Sequence, residues 1–310
     1  MLNRAFDYVV LLVMLLIGML GIYFTWDATH ISENASFRVY QQYKPAADSE
    51  YTEGYDKLTE INPDVLGWIT LYDTDIDYPL VQGETNSEYL YRNARGESSY
   101  TGSIFLDCHN SRDFSDFNTI IYGHHISGGA MFSDLDKFEE EDYFNTHKYG
   151  SLYYAGSDHI IEIFSFLNDV SGYDEQIYSV GIETEEEQEK YIERLEVDAL
   201  YNRELDVTSE DNIVLLSTCS RNMTNGRYIL AAVITEKTQV DLYEDENKSD
   251  GTSLMDTDFK LRLKSFVSVV PLWYWLFIIL LLLMLIFLVG KLRHIKRHSR
   301  CHFTPKKTGD

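Results

Sequence analysis

Two stretches of this chain cannot be left in water, and they limit what the rest can become. Tyr8 to Trp26 carries no charge and is dominated by Val, Leu, Met and Ile, and Phe266 to Gly290 is longer and almost purely aliphatic and aromatic. A helix needs about 20 apolar residues to cross the hydrocarbon core of a bilayer. Both stretches are therefore expected to be transmembrane helices, residues 8–26 and 266–290, and the material between them has to fold on its own.

Orientation follows from the basic residues. Beyond Gly290 come Lys291, Arg293, Lys296, Arg297, Arg300, Lys306 and Lys307, with Asp310 the only acid. Basic residues flanking a span stay on the cytoplasmic side. Residues 291–310 are thus expected to be a cytoplasmic tail. Arg4 and the terminal amine put residues 1–7 on the same side, which leaves 27–265 outside the cell. No small-residue A-x-A site follows the first span, Asp27-Ala-Thr-His30 being a poor substitute, so an uncleaved anchor is the reading preferred over a signal peptide.

Charge divides along the same lines. Setting aside Arg4 and the seven basic tail residues leaves 18 of the 26 basic residues, and setting aside Asp7 and Asp310 leaves 48 of the 50 acidic ones. The outer part therefore carries 30 excess negative charges. Such a surface repels nucleic acid and keeps a protein soluble, so nucleic-acid binding is excluded.

Within that part, residues 27–60 are polar and Tyr-rich, with apolar positions loosely spaced for helix. Short strand patterns then follow at 67–71, 76–81, 102–106, 119–122, 151–154, 159–167, 213–219 and 228–235. Eight short strands separated by turn signals predict a mainly β fold, a closed barrel or a sandwich, over residues 61–240. Glu88 to Arg92 reads as a short helix. Thr184-Glu-Glu-Glu187 is a capping box leading into a helix from Gln188 to Leu200, inside a long insertion between strands six and seven. Residues 241–265 begin with the composition of a solvated linker.

Chemistry concentrates at the last two strands. Ile213 to Cys219 ends in a thiol, Asn225-Gly226 is a strong turn signal, and Arg227 opens the next apolar run, so antiparallel pairing would set Cys219 beside Arg227. A thiol needs a base to raise its thiolate fraction. Thr119 to His124 supplies one where an apolar strand ends in Gly-His. Arg227 cannot lose its proton, and its planar fork of donors suits an oxygen that gains negative charge. Cys219, His124 and Arg227 together describe an acyl-transfer site. His125 competes with His124, and neither charge nor periodicity separates them. Arg221 is the corresponding decoy for Arg227. Ser217, Thr218 and His125 are candidate substrate-groove residues.

The remaining candidates read as structural. Cys108, at a strand end, is expected to be a small, partly buried hydrophobe. A bridge between Cys108 and Cys219 is possible on the oxidising side but would remove the nucleophile. His109 reads as a loop residue, and Cys301 in the tail would stay reduced. The acidic stretches Asp134 to Asp142 and Glu183 to Glu189 lack the ligand order of an EF-hand and read as solvated helix faces. No zinc spacing occurs, so neither metal nor cofactor is expected.

Tyr122-Gly-His124, Leu216-Ser-Thr-Cys219 and Arg227 resemble the signature of sortases, membrane-bound cysteine transpeptidases of Gram-positive bacteria. Asn62 to Ile69, Ile76 to Gln82, Gly102 to Asp107 and Tyr122 to Phe132 resemble class B in particular, and the similarity covers about residues 55 to 237. The resemblance implies an eight-stranded sortase-type β-barrel with an N-terminal helical extension at 27–60 and a helix-bearing insertion. It selects His124, directly after Tyr-Gly, as the catalytic imidazole, leaving His125 solvent-facing or groove-lining, and it prefers Arg227 over Arg221. It further implies cleavage of a C-terminal sorting signal on secreted surface proteins or pilins through a thioester. Transfer would be to an amine acceptor, a pilin lysine or a peptidoglycan precursor. The second span favours pilus assembly, whereas the absence of an Asp-Pro-aromatic lid argues against a class C polymerase. A hydrolytic envelope protease and a noncatalytic membrane scaffold are the alternatives from other classes.

Overall fold

A computed structural model describes residues 2–45, 53–126, 129–172, 174–219 and 225–235. The stretch 266–290, the linker, the basic tail with Cys301, residues 236–240 and the decoy Arg221 lie outside the described residues. The elements in chain order are α1 (Leu2–Ala35), α2 (Glu53–Ile61), β1 (Val65–Leu71), β2 (Asp77–Val81), β3 (Ile104–Leu106), β4 (Asn118–Tyr122), β5 (His125–Ile126) and β6 (Ala130–Met131). They continue with α3 (Glu141–Thr146), β7 (Tyr149–Tyr154), β8 (Ser157–Ser171), α4 (Glu185–Val197), β9 (Tyr201–Asn202), β10 (Ile213–Cys219) and β11 (Gly226–Thr235). The described residues fall into two compact units that divide between Trp26 and Asp27.

The first apolar stretch is helical, lying within the 34 residues of α1. Leu12, Leu15, Leu16, Met19, Leu20, Ile22 and Phe24 are all exposed on it. Taken over the described residues, no helix is long and apolar enough to cross a membrane. As sequence, residues 8–26 are an uncharged, apolar run. Helicity is therefore what the structure adds, and the assignment of this stretch to a bilayer rests on the sequence.

The main sheet closes on itself. Its order is β11, β10, β4, β3, β2, β1, β7, β8, with β8 pairing back to β11, β9 appended to β8, and β5–β6 a separate hairpin. The result is an eight-stranded barrel in which β2–β3 and β4–β10 are parallel neighbours and the other pairs antiparallel. Each expected strand is present. The largest difference is β8, which runs to Ser171 instead of stopping at Leu167. Asp169 takes a φ of 53°, and the strand continues past it, pairing Val170 with Arg227 and Ser171 with Gly226. The partner strand supplies backbone hydrogen bonds that outweigh local polarity.

Side chains alternate across the sheet. Val214, Leu216, Tyr228, Leu230 and Ala232 join one core cluster with Trp68, Ile69, Phe105 and Phe166. Ile213, Leu215, Ile229, Ala231 and Val233 join another, covered by Tyr191, Ile192 and Leu195 of α4. That helix starts where its capping box predicts, the Thr184 hydroxyl accepting from Glu187 N at 3.3 Å. It ends at Val197, and Leu200 is bonded back to β8 through its N–H, to Phe166 O at 2.8 Å.

The N-terminal extension docks through buried polar groups. The Tyr78 hydroxyl donates to Ala35 O and accepts from Met131 N, both at 3.0 Å. Asp77 accepts from Trp68 Nε1 at 2.7 Å, Thr70 Oγ1 at 2.9 Å and Gln41 Nε2 at 2.6 Å, and pairs with Lys44 at 2.8 Å.

Two local expectations are corrected. Glu88 to Arg92 is only a 3₁₀ turn, Glu88–Leu90. The Asp134–Asp142 stretch is not a solvated helix face: a 3₁₀ segment, Ser133–Glu139, leads into α3, and Leu135, Phe138 and Asp134 itself are buried. Asp134 is tolerated there because it accepts from Asp75 N at 2.9 Å and pairs with Lys137 at 2.8 Å.

Candidate active site

The antiparallel register of β10 and β11 puts Cys219 opposite Arg227. Asn225, the last residue of the connection, takes a φ of 64°, which Asn tolerates better than most residues. Cys219 is the one exposed residue of β10, and Arg227 Nη1 donates to its Sγ at 2.7 Å. The fork of donors thus lies against the sulfur, within reach of any oxygen that develops charge beside it.

The imidazole comes from the other neighbour of β10. Parallel pairing sets Tyr122 opposite Ser217, and Gly123 N donates to Ser217 O at 3.1 Å, so the chain leaves β4 beside the end of β10. A side chain at position 123 would put a Cβ 2.5 Å from Ile104 Cδ1 and 2.7 Å from Phe132 Cγ. That is the steric reason for glycine between Tyr122 and His124. His124 is half-buried, its backbone O accepts from Phe132 N at 3.1 Å, and its Nε2 lies 2.9 Å from Leu90 O. A carbonyl only accepts, so Nε2 carries the proton and Nδ1 is the nitrogen left able to accept one. Among the described residues, His124 and Cys219 are not hydrogen-bonded to each other. Backbone pairing thus sets the end of β4 and the start of β11 on either side of β10, and of the three side chains Cys219 and Arg227 are bonded.

Aromatic residues that sequence reasoning missed wall this site. Tyr178, in the insertion, stacks on Tyr122 with ring centroids 6.0 Å apart, and its hydroxyl is 2.8 Å from Ser217 Oγ. Burial pushes the Tyr178 hydroxyl up to about 12, with the Arg227 charge working against it. Tyr122 is pushed up as well, first by burial and then by Asp107, whose Oδ2 accepts from its hydroxyl at 3.0 Å. Both rings stay neutral beside the thiol. Nothing in the spacing around Ile177 and Tyr178 marks a hydroxyl aimed at β10, because the contact spans 39 residues of sequence.

The three groove candidates are largely covered in the structure. Ser217 is 2% exposed, with its hydroxyl bonded to that of Tyr178, and Thr218 is 1% exposed on the opposite face. They point to opposite faces of β10 and both faces are covered there, by Tyr178 over Ser217 and by the core cluster that holds Tyr228 beside Thr218. His125 does not face solvent: its Nε2 pairs with Asp136 at 2.9 Å, and both side chains are 11% exposed. The 3₁₀ segment that carries Asp136 folds over the hairpin and covers it.

Cys108 and Cys219 are both free thiols, so the bridge between them is not formed. Cys108 is partly buried, as expected of it. Asp107, Cys108 and His109 hold ligand-type atoms within 4.8 Å of one another. The Asp107 carboxylate is already filled by Asn86 Nδ2, the Tyr122 hydroxyl, and the N–H and Nδ1 of His109. This trio supports the loop and is not built as an open metal site.

A sortase-domain family model matches residues 69–235. The sortase B of Listeria monocytogenes is 33% identical over 184 residues, 58% of this chain and 73% of that protein. The crystal structure of sortase B from the type II pilus of Streptococcus pneumoniae is 46% identical, covers 61% of this chain and 100% of that one, and superposes with a TM-score of 0.52. A Streptococcus pyogenes class B sortase involved in pilus biogenesis is 35% identical, covers 58% of this chain and 97% of that one, with a TM-score of 0.54.

Proposed function

The chain belongs to the sortase family, as a class B cysteine transpeptidase, and from that premise we propose that Cys219, His124 and Arg227 cleave a C-terminal sorting signal and pass its acyl group to an amine, joining pilin subunits. The observation that carries the catalytic reading is the exposed thiol at the end of β10 with a guanidinium 2.7 Å away. The Cys219 thiol gives its proton to His124 Nδ1, and the resulting thiolate attacks the backbone carbonyl carbon of a threonine in the signal. A C–S bond forms and the oxygen takes the charge, held by Arg227 and backbone N–H donors. The C–N bond then breaks, and the leaving amine takes its proton from His124. In the second half an incoming amine attacks the thioester and gives its proton to His124, and the C–S bond breaks to return the thiolate.

Residues 27–60 form the extension and 61–240 the catalytic domain. This part lies outside the cell between spans at 8–26 and 266–290, with 1–7 and 291–310 in the cytoplasm. The uncharged composition of both stretches and the basic residues beyond Gly290 support this arrangement. Anchoring enzyme and substrate in one membrane turns a search of volume into a search of surface. Pilin lysine is preferred as acceptor because two relatives of known structure are pilus sortases. Attachment to peptidoglycan precursors is the second reading, the other acceptor that the class B resemblance implies.

The test is mass spectrometry of products formed by the full chain from secreted proteins bearing Thr-containing sorting signals, with pilin subunits and peptidoglycan precursors offered separately. The expected product is a new amide at the threonine, made with a pilin lysine and absent with Cys219→Ala. Product on the precursor alone supports wall anchoring, and hydrolysis that no added amine diverts indicates a protease. Alkylation of Cys219 no faster than of Cys108, with no product, indicates a noncatalytic scaffold.

A further inference from the structure

The insertion begins at the site itself. β8 ends by pairing Val170 with Arg227 and Ser171 with Gly226, and the next residue, Gly172, donates its N–H to Asn225 O at 3.0 Å. A Cβ at position 172 would lie 2.9 Å from Arg227 Nε and 3.1 and 3.2 Å from the amide oxygen and nitrogen of Asn225. Gly172 does not have a left-handed φ, so glycine is not needed there for backbone conformation. What is needed is the empty space.

We infer that Gly172 is a positioning residue for the transfer reaction: its missing side chain is the seat in which the Arg227 guanidinium rests so that Nη1 meets Cys219 Sγ. The inference rests on the role given to Arg227 above. Local backbone relief is blocked on two sides, because Ser171 is paired in the sheet and the Gly172 N–H is bonded to the turn. A methyl group at 172 therefore presses on Arg227 at Nε, with the Asn225 amide next in line, and a shift at Nε carries Nη1 with it because the fork is planar. Oxyanion donors act only over a narrow distance, and a misplacement of about 1 Å costs roughly 100-fold in rate. The root of the insertion that carries Tyr178 and α4 thereby sets the aim of the guanidinium.

The test uses the full chain carrying Gly172→Ala, Arg227→Ala or both, in single-turnover transfer from a Thr-containing sorting peptide to hydroxylamine. Gly172→Ala is expected to lower the transfer rate by about 10- to 100-fold, leave KM within about twofold, and cause no further loss in the Arg227→Ala background. A full rate for Gly172→Ala overturns the inference, and so does an equal loss in both backgrounds, which means the methyl acts through something other than the arginine. If Gly172→Ala alone does not fold, the pair with Arg227→Ala is expected to fold and melt like Arg227→Ala, since the clashing group is gone. A pair that also fails to fold overturns the inference. Full activity of Arg227→Ala by itself refutes the reading of that arginine in the proposed function, a result separable from the others because it involves no change at 172.

Discussion

Thr218→Val sets two readings of one residue against each other. Position 218 precedes Cys219, yet Thr218 is 1% exposed, opposes the fully buried Tyr228, and its Oγ1 has no hydrogen-bond partner among the described residues. A buried hydroxyl without a partner costs about 1–3 kcal/mol of desolvation. Valine keeps the shape, suits a strand, and puts a methyl group where the hydroxyl was, with the small volume increase working against the gain. The net expectation is a rise of about 1–2 kcal/mol, the lower part of the desolvation range. For a folded unit of this size that raises Tm by roughly 2–8 °C. Thermal unfolding of the full chain by circular dichroism, together with the transfer assay on the same preparation, checks it. Destabilisation by more than about 1 kcal/mol would mean the hydroxyl is bonded after all, on the scale of a buried polar group that loses its partner. Unchanged stability with lost transfer would mean the hydroxyl meets substrate, and the argument from burial would fail.

Tyr178→Phe and Ser217→Ala should each lower stability, by about 0.5–1.5 kcal/mol, and their double-mutant cycle should show a coupling near 1 kcal/mol; strict additivity would deny the 2.8 Å bond between the hydroxyls. For Asp77, burial alone would raise the carboxyl, but hydrogen bonds from Lys44, Trp68 and Gln41 outweigh it and hold it below 3.8. A folded value below the unfolded one means the stabilisation is complete above 3.8 and drains away as pH falls through the lower folded value. A Trp68 fluorescence titration should show this acid limb in the parent chain and lose it in Asp77→Asn; equal titrations in both would remove Asp77 as the cause. His124→Gln should reduce transfer by roughly 10²- to 10⁴-fold with unchanged melting, and a smaller effect on a folded variant would assign the proton transfers elsewhere.

Local pattern was enough for the strands and for the pairing of thiol and guanidinium. Apolar runs ending at Cys219 and starting beyond Asn225-Gly226 read locally as antiparallel neighbours, and the register observed sets residue 219 against 227. The Thr184 capping box and Glu187 likewise specify the start of α4 without outside help. Where the reading failed, a distant partner decided the matter. Asn168-Asp169 looks like a strand end until β11 supplies the hydrogen bonds that carry β8 on to Ser171. Asp134 looks solvated until Asp75 N and Lys137 meet it. His125 looks exposed until Asp136 folds over it.

Residue type and spacing determined which groups are present and which strand ends carry them, because periodicity and turn chemistry act over a few residues. Only the closed barrel decided which face each group occupies, that Ser217 and Thr218 are covered while Cys219 is open, that Nε2 of His124 is committed to Leu90, that Tyr178 meets the Ser217 hydroxyl, and that Gly172 lies against the Arg227 guanidinium. These are consequences of closure and of packing at van der Waals density between segments tens of residues apart, where contacts of a few tenths of an ångström decide and sequence spacing carries no information.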